Sequence, residues 1–289
     1  MTPISGETLV AGVVGRPVRH SLSPLIHNAW LAASGIDGVY IALSPAEEAF
    51  PHLIEGLRGG SVCGLNITLP FKAAALAAAD RVTDRAALAG AANLLLFSED
   101  GGLLADNTDG VGLLGAFALQ APQFDPAAAP VAILDAGGAA RGAAAAFSAA
   151  GAPAVRLVNR TRDRAQLIAQ GLNQASGDDR VSVYGWQELG LALAGAGALV
   201  NATSLGLAGH DPLEIDLSGL SKQAAVMDMV YRPLHTPLLQ SAAERGHPVV
   251  DGLAMLIAQA APSFEAFFGR PPPPIDVRSL ALAALKASR

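Results

Sequence analysis

Three polar clusters between Gly15 and Gly110 carry side chains from which a reactive site could be made. The first, Gly15-Arg-Pro-Val-Arg-His-Ser21-Leu-Ser23-Pro24, offers two hydroxyls and a helix start to an anion such as a carboxylate. The second, Asn66-Ile-Thr68-Leu-Pro-Phe-Lys72, presents an amide, a hydroxyl and a lysine within one turn region, and the third, Asn107-Thr-Asp109-Gly110, sets a carboxylate among turn residues. Singly, each has a plain structural explanation: Ser23 can cap a helix, Lys72 can be a solubilising side chain and Asp109 can stabilise a turn. Together they describe a site for a small acid bearing several hydroxyls, with Lys72 and Asp109 as its proton-handling pair.

A fourth cluster suits a different ligand. Val131-Ala-Ile-Leu134 runs into Asp135-Ala136-Gly137-Gly138-Ala139-Ala-Arg-Gly142 and then an alanine-rich stretch, the strand, Gly-rich turn and helix order of a dinucleotide fingerprint. Small residues there let backbone N–H groups at the helix start approach a pyrophosphate. About 20 residues further on, the run Val155 to Val158 ends in Asn159-Arg160-Thr161-Arg-Asp-Arg164. An NAD site usually has Asp or Glu at that strand end for the ribose 2′-hydroxyl, whereas arginine pairs with a 2′-phosphate, so Arg160 and Arg164 favour NADP over a merely solvated basic helix start. The first glycine of the fingerprint is replaced by Asp135. Asp tolerates unusual backbone angles better than most residues, so the turn is expected to survive with the carboxylate directed away and cofactor binding weakened but retained.

The elements that must hold these clusters are short apolar runs alternating with helix-like stretches. The runs are Leu9 to Val14, Val39 to Leu43, Gly64 to Thr68, Asn93 to Phe97, Val131 to Leu134, Val155 to Val158, Val181 to Tyr184, Ala198 to Val200, Ala225 to Met229 and Pro248 to Val250. That alternation predicts α/β layers with mainly parallel strands. Ser23-Pro24 predicts a cap and first turn for a helix ending at Gly35, Thr83 a cap for Asp84 to Leu88, and helical spacing continues over Gly252 to Phe268 and Val277 to Ala287. The Pro- and Ala-rich stretch Ala121 to Pro130 reads as a boundary between two halves.

With 289 residues, two domains are expected. A composition that is 51% apolar and 15% charged can bury a core, and a net charge of -6 leaves no basic footprint for nucleic acid or an anionic membrane. No run reaches the roughly 18 apolar residues of a membrane span. The single cysteine, Cys63, reads as a buried structural thiol, and with no signal-like N-terminus a cytoplasmic location is expected. The six histidines lack ligand spacing, so no metal is expected.

These motifs occur in an order that resembles the shikimate/quinate dehydrogenase family, and specifically its NADP-dependent shikimate dehydrogenases. Ser21-Leu-Ser23-Pro, Asn66-Ile-Thr68-Leu-Pro-Phe-Lys72, Gly90-Ala-Ala-Asn93, Asp106-Asn-Thr-Asp109-Gly-Val-Gly, Asn159-Arg-Thr, Asn201-Ala-Thr203-Ser and Asp251-Gly252-Leu-Ala-Met-Leu carry the likeness across nearly the whole chain. The resemblance implies an α/β protein of two domains separated by a cleft. A substrate domain would span 1–110, completed by C-terminal helices at 253–289, and a Rossmann-type NADP-binding domain 111–252. It implies NADPH-dependent reversible reduction of 3-dehydroshikimate to shikimate on the route to chorismate and the aromatic amino acids, with Lys72 and Asp109 as the catalytic pair. Ser21 and Ser23 would hold the substrate carboxylate with help from Tyr231, and Thr68, Asn93, Asp109 and Gln259 would contact the ring hydroxyls or neighbouring positions. Ala139, Thr203, Met229 and Gly252 would lie near the cofactor, with Asp84 a further neighbour, and the protein would act as a monomer or homodimer. Besides Asp135, the chain departs from the family at Leu94, where threonine is usual. Two rival readings stay open: a quinate/shikimate dehydrogenase using NAD, and a non-catalytic nucleotide or metabolite sensor suggested by Asp135.

Overall fold

In the computed structural model, which describes residues 4–287, the apolar runs become strands and the stretches between them helices. Two compact units form, Met1–Thr108 with Gln259–Arg289, and Asp109–Ala258.

The first unit begins β1 (Leu9–Val14), α1 (Ser23–Ser34), β2 (Gly38–Leu43), α2 (Phe50–Gly56), β3 (Val62–Ile67) and α3 (Lys72–Ala78). It continues with β4 (Arg81–Val82), α4 (Asp84–Ala89), β5 (Leu94–Phe97) and β6 (Leu103–Asp106). Its sheet runs β2-β1-β3-β5-β6-β4. The β2, β1 and β3 strands are parallel, whereas β5 is antiparallel to both β3 and β6. This half is therefore more mixed than the sequence suggests. The hairpin between β5 and β6 turns at Gly101, whose φ of 84° suits glycine, and is closed by the Ser98 N–H donating to the Gly102 carbonyl at 3.0 Å. Neither β4 nor β6 is evident from the sequence: β4 has only two residues, and Leu-Leu-Ala-Asp lacks the β-branched residues that mark strands.

Residue 109 opens the second unit. It contains α5 (Asp109–Gln120), β7 (Val131–Leu134), α6 (Gly138–Ala149), β8 (Val155–Asn159), α7 (Arg162–Ser176), β9 (Val181–Gly185) and α8 (Leu189–Leu193). There follow β10 (Ala198–Asn201), β11 (Ala225–Asp228), α9 (Pro237–Glu244) and β12 (Val249–Asp251). The helix α10 (Gly252–Phe268) is divided between the two units, and α11 (Val277–Ala287), the last helix among the described residues, belongs to the first. All six strands are parallel, in the order β12-β11-β10-β7-β8-β9. This is the doubly wound, Rossmann-like arrangement, with its order reversing between β7 and β10. Alternate residues show why helices cover both faces: Val131 and Ile133 enter one core with Ala140, Ala143 and Phe147 of α6, while Ala132 and Leu134 enter another with Leu193, Leu238 and Leu239. The segment 121–130 lies inside this unit and is not the boundary expected of it. Its Phe124 ring instead packs against Phe117 and Phe147.

Caps follow the sequence signals with one exception. Gly35 ends α1 in the left-handed conformation, and Thr83 caps α4 by accepting from the Ala86 N–H at 3.3 Å. Ser23 is not a cap; it is the first residue of α1, Leu22 takes the cap position without a side-chain bond, and the Ser21 hydroxyl accepts from the Ser23 N–H at 3.2 Å. No helix among the described residues is long and apolar enough to cross a membrane.

His27 is the odd residue of the first unit's interior. It stacks on Tyr40 with ring centroids 4.0 Å apart, and neither ring nitrogen has a hydrogen-bond partner among the described residues. Burial lowers its pKa to about 3, so the folded protein keeps it neutral while the unfolded chain takes up a proton near 6.5. Stability linked to His27 is thus complete above pH 6.5 and is lost as pH falls from there towards 3. Urea titrations should show native protein losing about 2 kcal/mol between pH 7 and pH 5 beyond any loss in His27→Phe. Parallel pH dependence of the two proteins would contradict this.

Candidate active site

In the first unit, adjacent strands β1 and β3 end at the same edge, and their following segments carry Ser21 with Ser23 and Thr68 with Lys72. The segments are tied together by the Arg16 N–H donating to the Leu69 carbonyl at 2.9 Å and by Thr68 lying against Gly15, where a β-carbon would collide with its methyl group. Lys72 is the first residue of α3, half-buried, and its carbonyl accepts from the Ala92 N–H at 3.0 Å, beside Asn93.

Asn93 is the centre of a buried polar network. Its Oδ1 accepts from the Thr108 N–H at 2.7 Å, and its Nδ2 donates to Thr108 Oγ1 at 3.0 Å and to Gln259 Oε1 at 3.3 Å. Asn66 joins from the other side, donating to the Asn93 carbonyl at 3.1 Å and to Ser263 Oγ at 2.9 Å, and accepting from the Tyr40 hydroxyl at 2.8 Å. Two of the expected substrate contacts, Asn93 and Gln259, are therefore brought together, although 166 residues separate them. Below them, burial would push the Asp106 carboxyl up, but hydrogen bonds from Arg85, Thr83 and the Asn107 N–H outweigh it and hold its pKa below the usual carboxylate range. That clamp fixes the strand end from which the chain runs through Thr108 to Asp109. Asp84 is exposed at the start of α4, in this unit, whereas the other cofactor candidates belong to the second.

Asp109 and Tyr231 also belong to the second unit, as the half-buried first residue of α5 and in the segment after β11; burial raises the Tyr231 pKa. The cofactor candidates there follow from strand register. Val158, Leu134, Asn201, Asp228 and Asp251 form one cross-sheet row at the carboxyl ends of β8, β7, β10, β11 and β12. Just beyond it come Asn159, Arg160, Thr161 and Arg164, then Ala136, Gly137, Gly138 and Ala139, then Thr203, Met229 and Gly252. In open α/β sheets ligands bind at this edge, at the point where strand order reverses. A β-carbon at Gly138 would meet nothing within 4 Å, which leaves room for a phosphate against the α6 N-terminus. A β-carbon at Gly252 would collide with the Met229 carbonyl, so close approach of two strand ends requires glycine there. Arg160 and Arg164 are exposed and take part in no ion pair among the described residues, unlike Arg162, which pairs with Glu188 at 2.9 Å. Cys63 is half-buried on β3 and burial raises its thiol pKa, which disfavours the reactive thiolate.

Asp135 departs from expectation. It keeps the turn, with φ at 116°, but its carboxylate is not directed away: Oδ2 accepts from the Gly137 N–H at 3.1 Å. Asp228 is a residue that motif reasoning passed over. Wholly buried, it accepts from Asn201 Nδ2 at 2.9 Å, Thr236 Oγ1 at 2.7 Å and the Val230 N–H at 3.0 Å. Burial raises its pKa, partly offset by those bonds. Asn201 in turn accepts from the Thr203 N–H at 3.0 Å and hydroxyl at 2.8 Å, so Asp228 positions Thr203 through it. Its only sequence signal is an acidic residue ending an apolar run.

A doubly wound sheet with a Gly-rich turn beside its switch point defines a dinucleotide-binding protein of the Rossmann class. The family model described as the shikimate dehydrogenase substrate binding domain matches residues 13–95, and that of the shikimate 5'-dehydrogenase C-terminal domain matches residues 252–280. An NADP(+) shikimate dehydrogenase of Caulobacter vibrioides is 54% identical over 283 residues, covering 98% of each chain, and one of Dinoroseobacter shibae is 47% identical over 95% of this chain and 97% of its own. Among solved structures, shikimate 5-dehydrogenase from Thermus thermophilus, in complex with NADP(H) and shikimate, superposes with a TM-score of 0.82 at 34% identity over 98% of this chain and 100% of that one. Quinate dehydrogenase from Corynebacterium glutamicum, in complex with NAD, gives 0.85 at 29% identity over 98% and 99%. The chain belongs to the shikimate dehydrogenase family.

Replacing Asp228 tests the buried support of Thr203. Asp228→Ala strands two side-chain donors and a backbone N–H, and chemical denaturation should show a loss of about 3 kcal/mol, with Asp228→Asn losing roughly half as much. Equal stability of all three proteins would remove Asp228 from this role.

Proposed function

We propose that this protein is an NADP-dependent shikimate dehydrogenase, catalysing reversible reduction of 3-dehydroshikimate to shikimate on the chorismate route. The observation that carries the reading is 54% identity along 98% of the chain to an NADP(+) shikimate dehydrogenase. The quinate dehydrogenase solved in complex with NAD is matched at 29% identity. In this reading the first unit binds substrate and the second binds NADP, and the enzyme works in the cytoplasm as a monomer or homodimer.

Bound NADPH would supply the hydride. The chain's own task is to bind, orient and protonate. Ser21 and Ser23 at the α1 start, with Tyr231, hold the carboxylate, and Thr68, Asn93, Asp109 and Gln259 read the hydroxyls. The buried network around Asn93 supports this by leaving its amide little freedom to reorient. Lys72 hydrogen-bonds the ketone oxygen and gives the proton that the oxygen gains as the carbonyl becomes an alcohol, and Asp109 orients Lys72. For the cofactor, backbone N–H groups from Gly137 to Ala139 would hold the pyrophosphate, Gly137 once its bond to Asp135 is released, Arg160 and Arg164 would take the 2′-phosphate, Asn159 and Thr161 would shape that turn, and Ala136, Thr203, Met229 and Gly252 would line the rim. The exposure of Arg160 and Arg164, with no ion pair among the described residues, supports their assignment. Asp84 is assigned as a further cofactor neighbour on family resemblance alone.

Near-ultraviolet absorbance should fall when protein, NADPH and 3-dehydroshikimate are mixed, with NADH at least tenfold slower. Lys72→Ala and Asp109→Asn should each cut kcat by about 10²-fold or more. Faster turnover with NADH and quinate-type substrates would favour the catabolic rival, and near-normal turnover in both variants would remove the proton-handling pair.

A further inference from the structure

The Gly-rich turn carries an anion of its own. The Asp135 carboxylate lies across Gly137, where a β-carbon would come within 2.8 Å of Oδ2, and it takes up the Gly137 N–H at 3.1 Å. This N–H immediately precedes α6, whose cap residue, Gly137, contributes no side-chain acceptor to the free N–H groups of the first turn. Those groups and the helix dipole are what a pyrophosphate would use. Among the described residues the carboxylate accepts one hydrogen bond, from Gly137, and forms no ion pair.

Resting on the cofactor assignment above, we propose that Asp135 is an affinity-setting residue of the NADP site, an internal stand-in for the pyrophosphate that must vacate the Gly137 N–H when the cofactor binds. Two costs follow. A donor is already engaged in the free protein, and a negative side chain remains beside a negative ligand after it is released. Asp135 also holds φ at 116°, a conformation that L side chains rarely adopt, so the position offers glycine a more comfortable fit than aspartate. The residue thus lowers cofactor affinity because its carboxylate occupies the Gly137 N–H of the free turn.

Isothermal titration of the full chain with NADPH and, separately, with adenosine 2′-monophosphate, which has the 2′-phosphate but no pyrophosphate, separates this effect from others. Asp135→Gly should tighten NADPH by about tenfold or more. Asp135→Asn, which loses the charge but keeps an oxygen able to accept from Gly137, should fall between the two, and binding of adenosine 2′-monophosphate should stay the same in all three. Unchanged NADPH affinity in Asp135→Gly, or equal tightening of both ligands, overturns the proposal while leaving the cofactor assignment intact. Failure of all three proteins to bind either ligand at millimolar concentration overturns both.

Discussion

Parallel strands that enter a sheet in the same direction must also leave it at the same edge, and both units place their polar segments by this constraint. In the first, β1 and β3 release the Ser21 and Lys72 segments side by side. In the second, five strands in register release the Gly-rich turn, the arginine turn and the Thr203, Met229 and Gly252 segments along one rim. The backbone at that rim is set by pairing rather than by the side chains that follow: the Asp135 N–H donates to Val158, that of Ala202 to Leu134, and that of Met229 to Asn201. Side-chain chemistry at the rim can therefore vary while the sheet beneath it stays the same.

Burial imposes a second demand, because a polar group removed from water must find a partner inside. Asn66, Asn93, Thr108, Gln259 and Ser263 meet it collectively, each bond fixing the orientation of the next. Asp228 meets it with three donors. His27 does not meet it and stays neutral among aromatic rings, held by stacking on Tyr40. The first two arrangements fix the candidate site residues Asn93, Gln259 and Thr203; the third contributes packing and leaves an imidazole whose pKa burial lowers.

Much of this was legible because local sequence and final structure obey the same rules. Val131 to Leu134 reads as a strand and is one; Gly35 and Thr83 read as helix boundaries and are. The fold class and the family follow from motifs whose order survives along the chain. What escaped depends on contacts between distant segments. Nothing local announces that Asn93 will meet Gln259, that Asp228 will gather Asn201 and Thr236, or that Leu103–Asp106 will pair with β5. Ser23 misled because Ser-Pro before an apolar run is a cap signal, whereas the helix begins at the serine itself. The direction of the Asp135 carboxylate escaped because residue type limits backbone angle without choosing the side chain's acceptor role.

Asp135 also marks where consistency between local preference and fold gives way. A non-glycine residue at positive φ costs on the order of 1–3 kcal/mol and persists only when its surroundings over-determine it. Here they do. Its N–H is tied to β8, Leu134 just before it accepts from the Ala202 N–H, and its own carboxylate closes the turn through Gly137. The strain is small beside the burial of Val131, Ile133 and Leu134, all fully enclosed in the central strand of the sheet. A change at this position therefore acts on what approaches the turn far more than on whether the turn forms, which is how a residue opposed to its ligand can be carried by a fold built around that ligand.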